Sequence, residues 1–305
     1  MYTIKPSIGK GLGVFATQKI KRDEMIIHER ALFSQTERED PENGFSWECL
    51  KEGFDNLNDS EKSQYLSLSH RHLGLDTKTY DAIRDSLSMG PRMSDDDFQK
   101  NFQEMVHIVD VFNTNCARMH YSRYEYGIFP IYSRINHSCI PNARWAYNNQ
   151  TGEMEVFAAR DIADNEEVTI SYLFQWESLH TFDNRDVHFL LRGFRCDCEV
   201  CLEPKPDRDV RDKRRLRMLE LTVFLDKYHG RIWFDDEDPN DIAPGMSEAL
   251  RLAFELAELY EAEGLLGFDR GIVYSQIANF YDLLGQQDEM EMFERKANMY
   301  FPLFD

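Results

Sequence analysis

Apolar and polar positions alternate with a short period at the start of the chain. Tyr2 and Ile4, then Val14-Phe15-Ala16 and, after a charged break, Met25-Ile26-Ile27 predict short strands within residues 1–30. Gly9-Lys10-Gly11-Leu12-Gly13 supplies the turn between the first two. From about residue 45 to 119 the period lengthens, and helices are expected over 60–70 and 95–114, where Phe98, Phe102, Met105 and Val109 recur at three- and four-residue steps. Strand-like runs return at Ile128-Phe129, Trp145–Tyr147, Met154–Ala158 and Val168–Tyr172, with Asn148-Asn149-Gln150-Thr151-Gly152 as a hairpin turn. Two prolines in Glu203-Pro204-Lys205-Pro206-Asp207 predict a linker. Beyond it the chain reads as helical: Val273, Ile277, Phe280 and Leu284 share one face, and Met290, Phe293, Ala297 and Tyr300 share the next. Ile277, Ala278, Tyr281, Gly285, Ala297 and Pro302 match part of the helix-turn-helix repeat of about 34 residues. One or two such repeats are too few for a free-standing solenoid, so these helices are expected to pack on the rest of the protein.

Composition limits the classes available. At 305 residues with 42% hydrophobic and 13% aromatic positions, the chain can bury a sizeable core. Its start lacks a basic end followed by an apolar run, and no stretch approaches the roughly 18 apolar residues of a membrane span. A soluble protein of the nucleus or cytoplasm, without a membrane partner, is expected. The 55 acidic against 35 basic residues give a formal charge of −20. That charge serves solubility, or forms a field that draws in a basic substrate, and it argues against direct nucleic-acid binding, which needs Lys and Arg at the phosphates.

Candidate chemistry lies in two short segments. Cys196-Asp197-Cys198-Glu199-Val200-Cys201 packs three of the six cysteines into six residues. In a reducing compartment such a cluster points to metal more than to disulfides, and three thiolates leave a tetrahedral zinc one ligand short. Asn136-His137-Ser138-Cys139-Ile140-Pro141-Asn142 is dense in polar groups and follows an apolar stretch. No G-x-S-x-G nucleophile motif, G-x-G-x-x-G dinucleotide fingerprint or phosphate loop is present. Alone, the Asn-His pair reads equally well as a hydrogen-bonded turn.

In order, a G-x-G turn near the start, Asn136-His137-Ser138-Cys139, Glu166-Glu167-Val168-Thr169-Ile170-Ser171-Tyr172 and Phe194-Arg195-Cys196-Asp197-Cys198-Glu199-Val200-Cys201 resemble the SET-domain protein lysine methyltransferases. More narrowly, the chain is similar to the SET-and-MYND group and its fungal-type relatives. The MYND finger itself is missing, because the insert offers only Cys49 and scattered histidines where seven or eight ligands are needed.

The resemblance implies an α+β fold: a β-rich SET core over 1–30 and 105–175, a helical insert over 31–104, a zinc-bound post-SET segment over 176–204 and a helical, repeat-like C-terminal domain over 205–305. It implies S-adenosylmethionine as cofactor, held by Lys10, Gly11, Leu12, Asn115, Asn136 and His137, with Phe194 stacked on the adenine. Tyr172 takes the place of the tyrosine at the methyl-transfer site, and Trp145 and Tyr132 line the lysine channel. Cys139 joins Cys196, Cys198 and Cys201 around one structural zinc. The implied activity is methylation of a lysine in a protein substrate, such as one on a basic tail, by a monomer. Two rivals stand beside it: a SET-fold scaffold without turnover that binds through its C-terminal helices, and an unrelated zinc hydrolase, which would need an open metal position.

Overall fold

A computed structural model describes residues 1–36, 46–70, 77–120, 124–234 and 239–300. In chain order the strands β1 (Tyr2–Ser7), β2 (Gly11–Ala16), β3 (Met25–Arg30) and β4 (Ser34–Thr36) lead into the helices α1 (Trp47–Asp55), α2 (Asp59–Leu66), α3 (Thr77–Met89) and α4 (Asp95–Asn115). Short strands follow: β5 (Ala117–His120), β6 (Glu125–Gly127), β7 (Asn136–His137), β8 (Ala143–Asn148), β9 (Glu153–Ala158) and β10 (Glu167–Ile170). The chain ends in helices α5 (Gln175–Ser178), α6 (Phe182–Leu191), α7 (Glu199–Leu202), α8 (Lys205–Phe234), α9 (Pro239–Glu263), α10 (Phe268–Leu283) and α11 (Gln287–Asn298). It divides into two compact units: one of Met1–Ile26, Asn136–Trp145 and Val156–Asp305, the other of Ile27–Ile135 and Ala146–Glu155.

The first unit is built on a sheet of order β1-β2-β10-β7. β1 and β2 form an antiparallel hairpin in register from Tyr2↔Ala16 to Ser7↔Gly11. Gly9 and Gly11 turn it with φ of 76° and 79°, a region that side chains with a Cβ rarely adopt. β10 lies antiparallel to β2, with Glu167 opposite Phe15, and parallel to β7, with Thr169 opposite Asn136 and Ile170 opposite His137. Three segments far apart in sequence therefore meet on one central strand. The side chain of Asn142 extends this pairing: its Oδ1 accepts from the Thr169 N–H at 2.8 Å, and its Nδ2 donates to the Glu167 carbonyl at 2.8 Å. The helices that follow bury Met218, Leu221 and Leu225 of α8 against Leu256 of α9 and Ile277 and Phe280 of α10, with Leu179 in the same cluster.

The second unit packs α1, α2, α3 and α4 around Leu50, Phe54, Tyr65, Ile83, Ile108 and Phe112. Its small sheet has the order β4-β6-β5. Ser94 caps α4 through a hydroxyl that accepts from the Asp97 N–H at 3.1 Å, and Asp95, Asp96 and Asp97 complement the helix N-terminus. A third sheet runs in the order β3-β9-β8.

Some expectations change. Ile128 and Phe129 lie just past β6, in no strand, and are fully buried. The linker shrinks to two residues, because α8 begins at Lys205 with Pro206 in its first turn, where a missing N–H costs no helical bond. Leu284 is an exposed helix cap instead of a core residue. Pro302 of the repeat pattern lies outside the described residues.

Candidate functional site

His137 is the pivot of the site. It is almost wholly buried on β7, and its Nδ1 accepts the backbone N–H of Tyr172 at 2.9 Å. An acceptor at Nδ1 puts the proton of the neutral ring on Nε2, which faces the Cys139 sulfur at 3.4 Å. One imidazole thus links the tyrosine backbone to the cysteine cluster. Around it the rings of Tyr172, Phe189 and Phe194 stand 5.4, 4.6 and 6.5 Å away, and Tyr172 meets Phe194 edge-on at 6.2 Å. Phe194 reaches this cluster because Gly193, at φ 83°, ends α6 in a left-handed turn, after which the Phe194 N–H donates to the Phe189 carbonyl at 3.1 Å. Burial, with the nearby Glu167 charge, pushes the Tyr172 phenol well above its ordinary pKa. It stays protonated at neutral pH and cannot serve as a base.

The four cysteines converge. The sulfurs of Cys139, Cys196, Cys198 and Cys201 all lie within 4.8 Å of one another, Cys139 being 3.9 Å from Cys196 and 3.5 Å from Cys201. Zn–S bonds of about 2.3 Å in a tetrahedron require sulfurs about 3.8 Å apart, so the set matches a closed four-thiolate zinc site with no position left for water. Cys201 and Leu202 both donate backbone N–H groups to the Cys198 carbonyl, which folds the C-x-x-C stretch into a tight turn. The clustered thiols titrate together: hydrogen bonds from the other three cysteines and from His137 hold the Cys139 thiol well below its usual pKa, and the hydrogen bond to Cys139 pushes Cys196 and Cys201 up.

Two buried arginines back this cluster. Arg215 of α8 has no exposed side-chain surface and donates to the carbonyls of Cys139 at 3.1 Å and Ser178 at 2.6 Å. Its Nε meets Glu263 at 3.1 Å, and that carboxylate is equally buried. Arg185 of α6 pairs with Asp212 at 3.6 Å; burial alone would lower its pKa, but the charges of Cys139, Cys201 and Asp212 carry it above the ordinary value.

Lys10 stands between the glycine turn and the cysteines, 2.9 Å from Asp197 and 4.0 Å from Glu167. These partners outweigh its partial burial and keep its pKa raised. No heavy atom lies within 4 Å of where a Cβ would sit on Gly9 or Gly11, so the turn's backbone is open to a ligand. Asn136 donates from Nδ2 to the Leu12 carbonyl at 3.1 Å and to Glu167 at 2.7 Å. With an ammonium, an amide oxygen, open glycine backbone and a flat ring at Phe194, the donor set of this unit suits a zwitterionic ligand with an aromatic base.

The first unit therefore brings together Lys10, Gly11, Leu12, Asn136, His137, Tyr172, Phe194 and the four cysteines, and half-buried Trp145 on β8 belongs to it as well. Asn115 and Tyr132 belong to the second unit. Asn115 ends α4, and its amide donates to the carbonyls of Ser69 at 2.6 Å and Val111 at 2.7 Å. Tyr132 sits in a 3-10 turn whose Ile131 and Tyr132 N–H groups donate to the Glu29 carboxylate at 2.9 and 3.0 Å. Nothing in the sequence singles out Glu29, Arg215 or Glu263, whereas Glu167 carries a signal as part of the motif before Tyr172.

The SET-domain family model matches residues 11–173, more than half of the chain. This is a SET-domain protein. Among curated proteins it is 35% identical over 95 residues to histone-lysine N-methyltransferase set5 of Schizosaccharomyces pombe, covering 30% of this chain and 28% of that one. Histone-lysine N-methyltransferase ATXR2 of Arabidopsis thaliana is 40% identical over 78 residues, covering 25% and 16%. Protein-lysine N-trimethyltransferase SMYD5 of Mus musculus is 36% identical over 87 residues, covering 28% and 20%. The chain thus spans less than a third of the length of these curated relatives. Among the described residues, no helix is long and apolar enough to cross a membrane.

Proposed function

We propose that this SET-domain protein transfers a methyl group from S-adenosylmethionine to a lysine side chain of a protein substrate. The observation that carries the reading is the chain of contacts from Tyr172 through His137 to Cys139, with Phe194, Asn136 and Lys10 gathered in the same unit. Relatives named as lysine methyltransferases support it.

In this reading Lys10 holds the cofactor's carboxylate, the backbone of Gly11 and Leu12 and the Asn136-His137 segment hold its polar groups, and Phe194 stacks on its adenine. Bound there, the cofactor supplies an electrophilic methyl group on a sulfonium. The protein's part is alignment and desolvation. A lysine amine has a pKa of about 10.4 in water, and an aromatic-walled channel that disfavours its charged form lets it attack in line. Tyr172, held as a phenol by burial, orients the amine with its hydroxyl and ring while water carries the proton away. Asn115, Trp145 and Tyr132 complete the reading as a further cofactor contact and channel walls.

The same reading gives Cys139, Cys196, Cys198 and Cys201 to one structural zinc, which clamps the Phe194 segment. It keeps the division into a core over 1–30 and 105–175, an insert over 31–104, a post-SET segment over 176–204 and a repeat-like helical domain over 205–305. A monomer with no nucleic-acid partner and a nuclear or cytoplasmic residence belong to it too. Calorimetry with S-adenosylmethionine tests it: one-to-one binding by the zinc-replete protein is expected. The Tyr172→Phe variant should bind as tightly and turn over a lysine-bearing protein far more slowly. No detectable cofactor binding by intact wild-type protein removes the reading.

A further inference from the structure

Glu167 lies at the centre of the β1-β2-β10-β7 sheet, on the strand that pairs with β2 on one side and β7 on the other. Its Oε1 accepts from Asn136 Nδ2 at 2.7 Å, and its Oε2 faces the Lys10 ammonium at 4.0 Å. A primary amide has two hydrogens, and Asn136 spends them on Glu167 and on the Leu12 carbonyl. The amide oxygen is then the end left for a ligand. Without an acceptor at position 167, only the Leu12 carbonyl, at the longer distance of 3.1 Å, holds the amide against a flip that would offer N–H instead.

Gly13 belongs to the same arrangement. Its φ is not in the left-handed region, so backbone freedom does not account for it. Space does: a Cβ on residue 13 would stand 2.2 Å from Glu167 Oε1, 3.0 Å from Asn136 Nδ2 and 3.1 Å from the Phe15 ring. The third glycine of the turn is small because a carboxylate occupies the place of its side chain.

We propose that Glu167 is a positioning residue of the cofactor pocket, that it fixes the Asn136 amide with its oxygen toward the ligand, and that Gly13 is required to make room for it. The identity of the ligand rests on the methyltransferase reading; the contact between Gly13, Glu167 and Asn136 does not. The role asks for an acceptor at this place, and a neutral amide oxygen can serve. It differs from a field effect, in which the negative charge itself would favour the cationic sulfonium.

The test measures affinity for S-adenosylmethionine and for its neutral-sulfur product, S-adenosylhomocysteine, by calorimetry, with zinc content and melting temperature as controls. Glu167→Ala should weaken both ligands alike, by about tenfold or more, the scale of a lost charge-assisted hydrogen bond. Glu167→Gln, which keeps an acceptor, should stay within about threefold of wild type, less than a neutral hydrogen bond is worth. Gly13→Ala should mimic Glu167→Ala, and in the Gly13→Ala/Glu167→Ala double variant the two effects should fall well short of adding, because they break one contact. The same non-additivity is expected in melting temperature, which needs no ligand. Equal losses for Gln and Ala, or a loss confined to S-adenosylmethionine, replace positioning by charge and overturn the proposal. So do unchanged affinities or fully additive effects. Wild-type protein that binds neither ligand defeats the methyltransferase reading itself.

Discussion

The buried Glu263 carboxylate is the sharpest place to perturb the helical part of the first unit. It has no exposed side-chain surface and meets Arg215 at 3.1 Å, Arg214 at 2.6 Å and Arg211 at 3.4 Å. Arg211 keeps Glu203 as a second partner, and Arg211 and Arg214 both reach solvent. Arg215 does not. Glu263→Gln keeps the shape and removes the charge, leaving a buried guanidinium whose remaining partners are the Ser178 and Cys139 carbonyls. Breaking a buried pair on one side costs about 3–5 kcal/mol. The substituted amide still accepts a hydrogen bond, which returns about 1 kcal/mol. A net loss of about 2–4 kcal/mol follows, or roughly 30- to 1,000-fold in the unfolding equilibrium. Urea unfolding of zinc-replete protein, followed by far-ultraviolet circular dichroism, reads it directly in the helices. Glu248→Gln in the exposed pair with Arg251 is the control and should change nothing measurable. A loss below about 1 kcal/mol for Glu263→Gln would mean that Arg215 finds water or another anion and does not depend on this carboxylate.

Two further outcomes test other parts of the molecule. Metal analysis should return about one zinc per chain, and Cys139→Ser should release it faster to a chelator, since it removes one of four ligands; unchanged retention would break the four-cysteine assignment. Asp269, in the first turn of α10, has its carboxyl pushed up to about 7 by burial. A folded-state value above the unfolded one means the native protein binds this proton more tightly, so stability falls as pH rises from about 4 through 7. Asp269→Asn should therefore stabilise the protein at pH 8 more than at pH 5, as read by melting temperature, and an equal shift at both would exclude the titration.

The elements written in long runs were legible. The period of Phe98, Phe102, Met105 and Val109 corresponds to α4, and the alternation before and after Gly9-Lys10-Gly11-Leu12-Gly13 corresponds to β1 and β2. The four cysteines could be paired on paper through the resemblance, and their sulfurs do meet. Strands β4 and β6, three residues each, are too short to display a period of two, and they take their shape from pairing with each other and with β5. Arg215 and Glu263 were invisible for a different reason. A charged residue on a helix reads as solvent-facing, and only the tertiary meeting of α8, α9 and the Cys139 loop reveals that these two face inward. Gly13 was legible as a turn glycine, yet its purpose lies across the sheet, in a glutamate about 150 residues later.

That separation also governs how the molecule can assemble. The hairpin of β1 and β2 is synthesised well before the strand that covers the β2 edge, since β10 is not made until residue 167. Throughout that interval β2 presents an open row of backbone donors and acceptors, while most of the second unit, Ile27–Ile135, is already synthesised. Closing so long a loop is slow, because the entropy of bringing the ends together is lost before any contact is gained. The step that joins β10 to β2 is thus the natural bottleneck of folding, and the period before it is when this chain is most exposed to pairing with a neighbour.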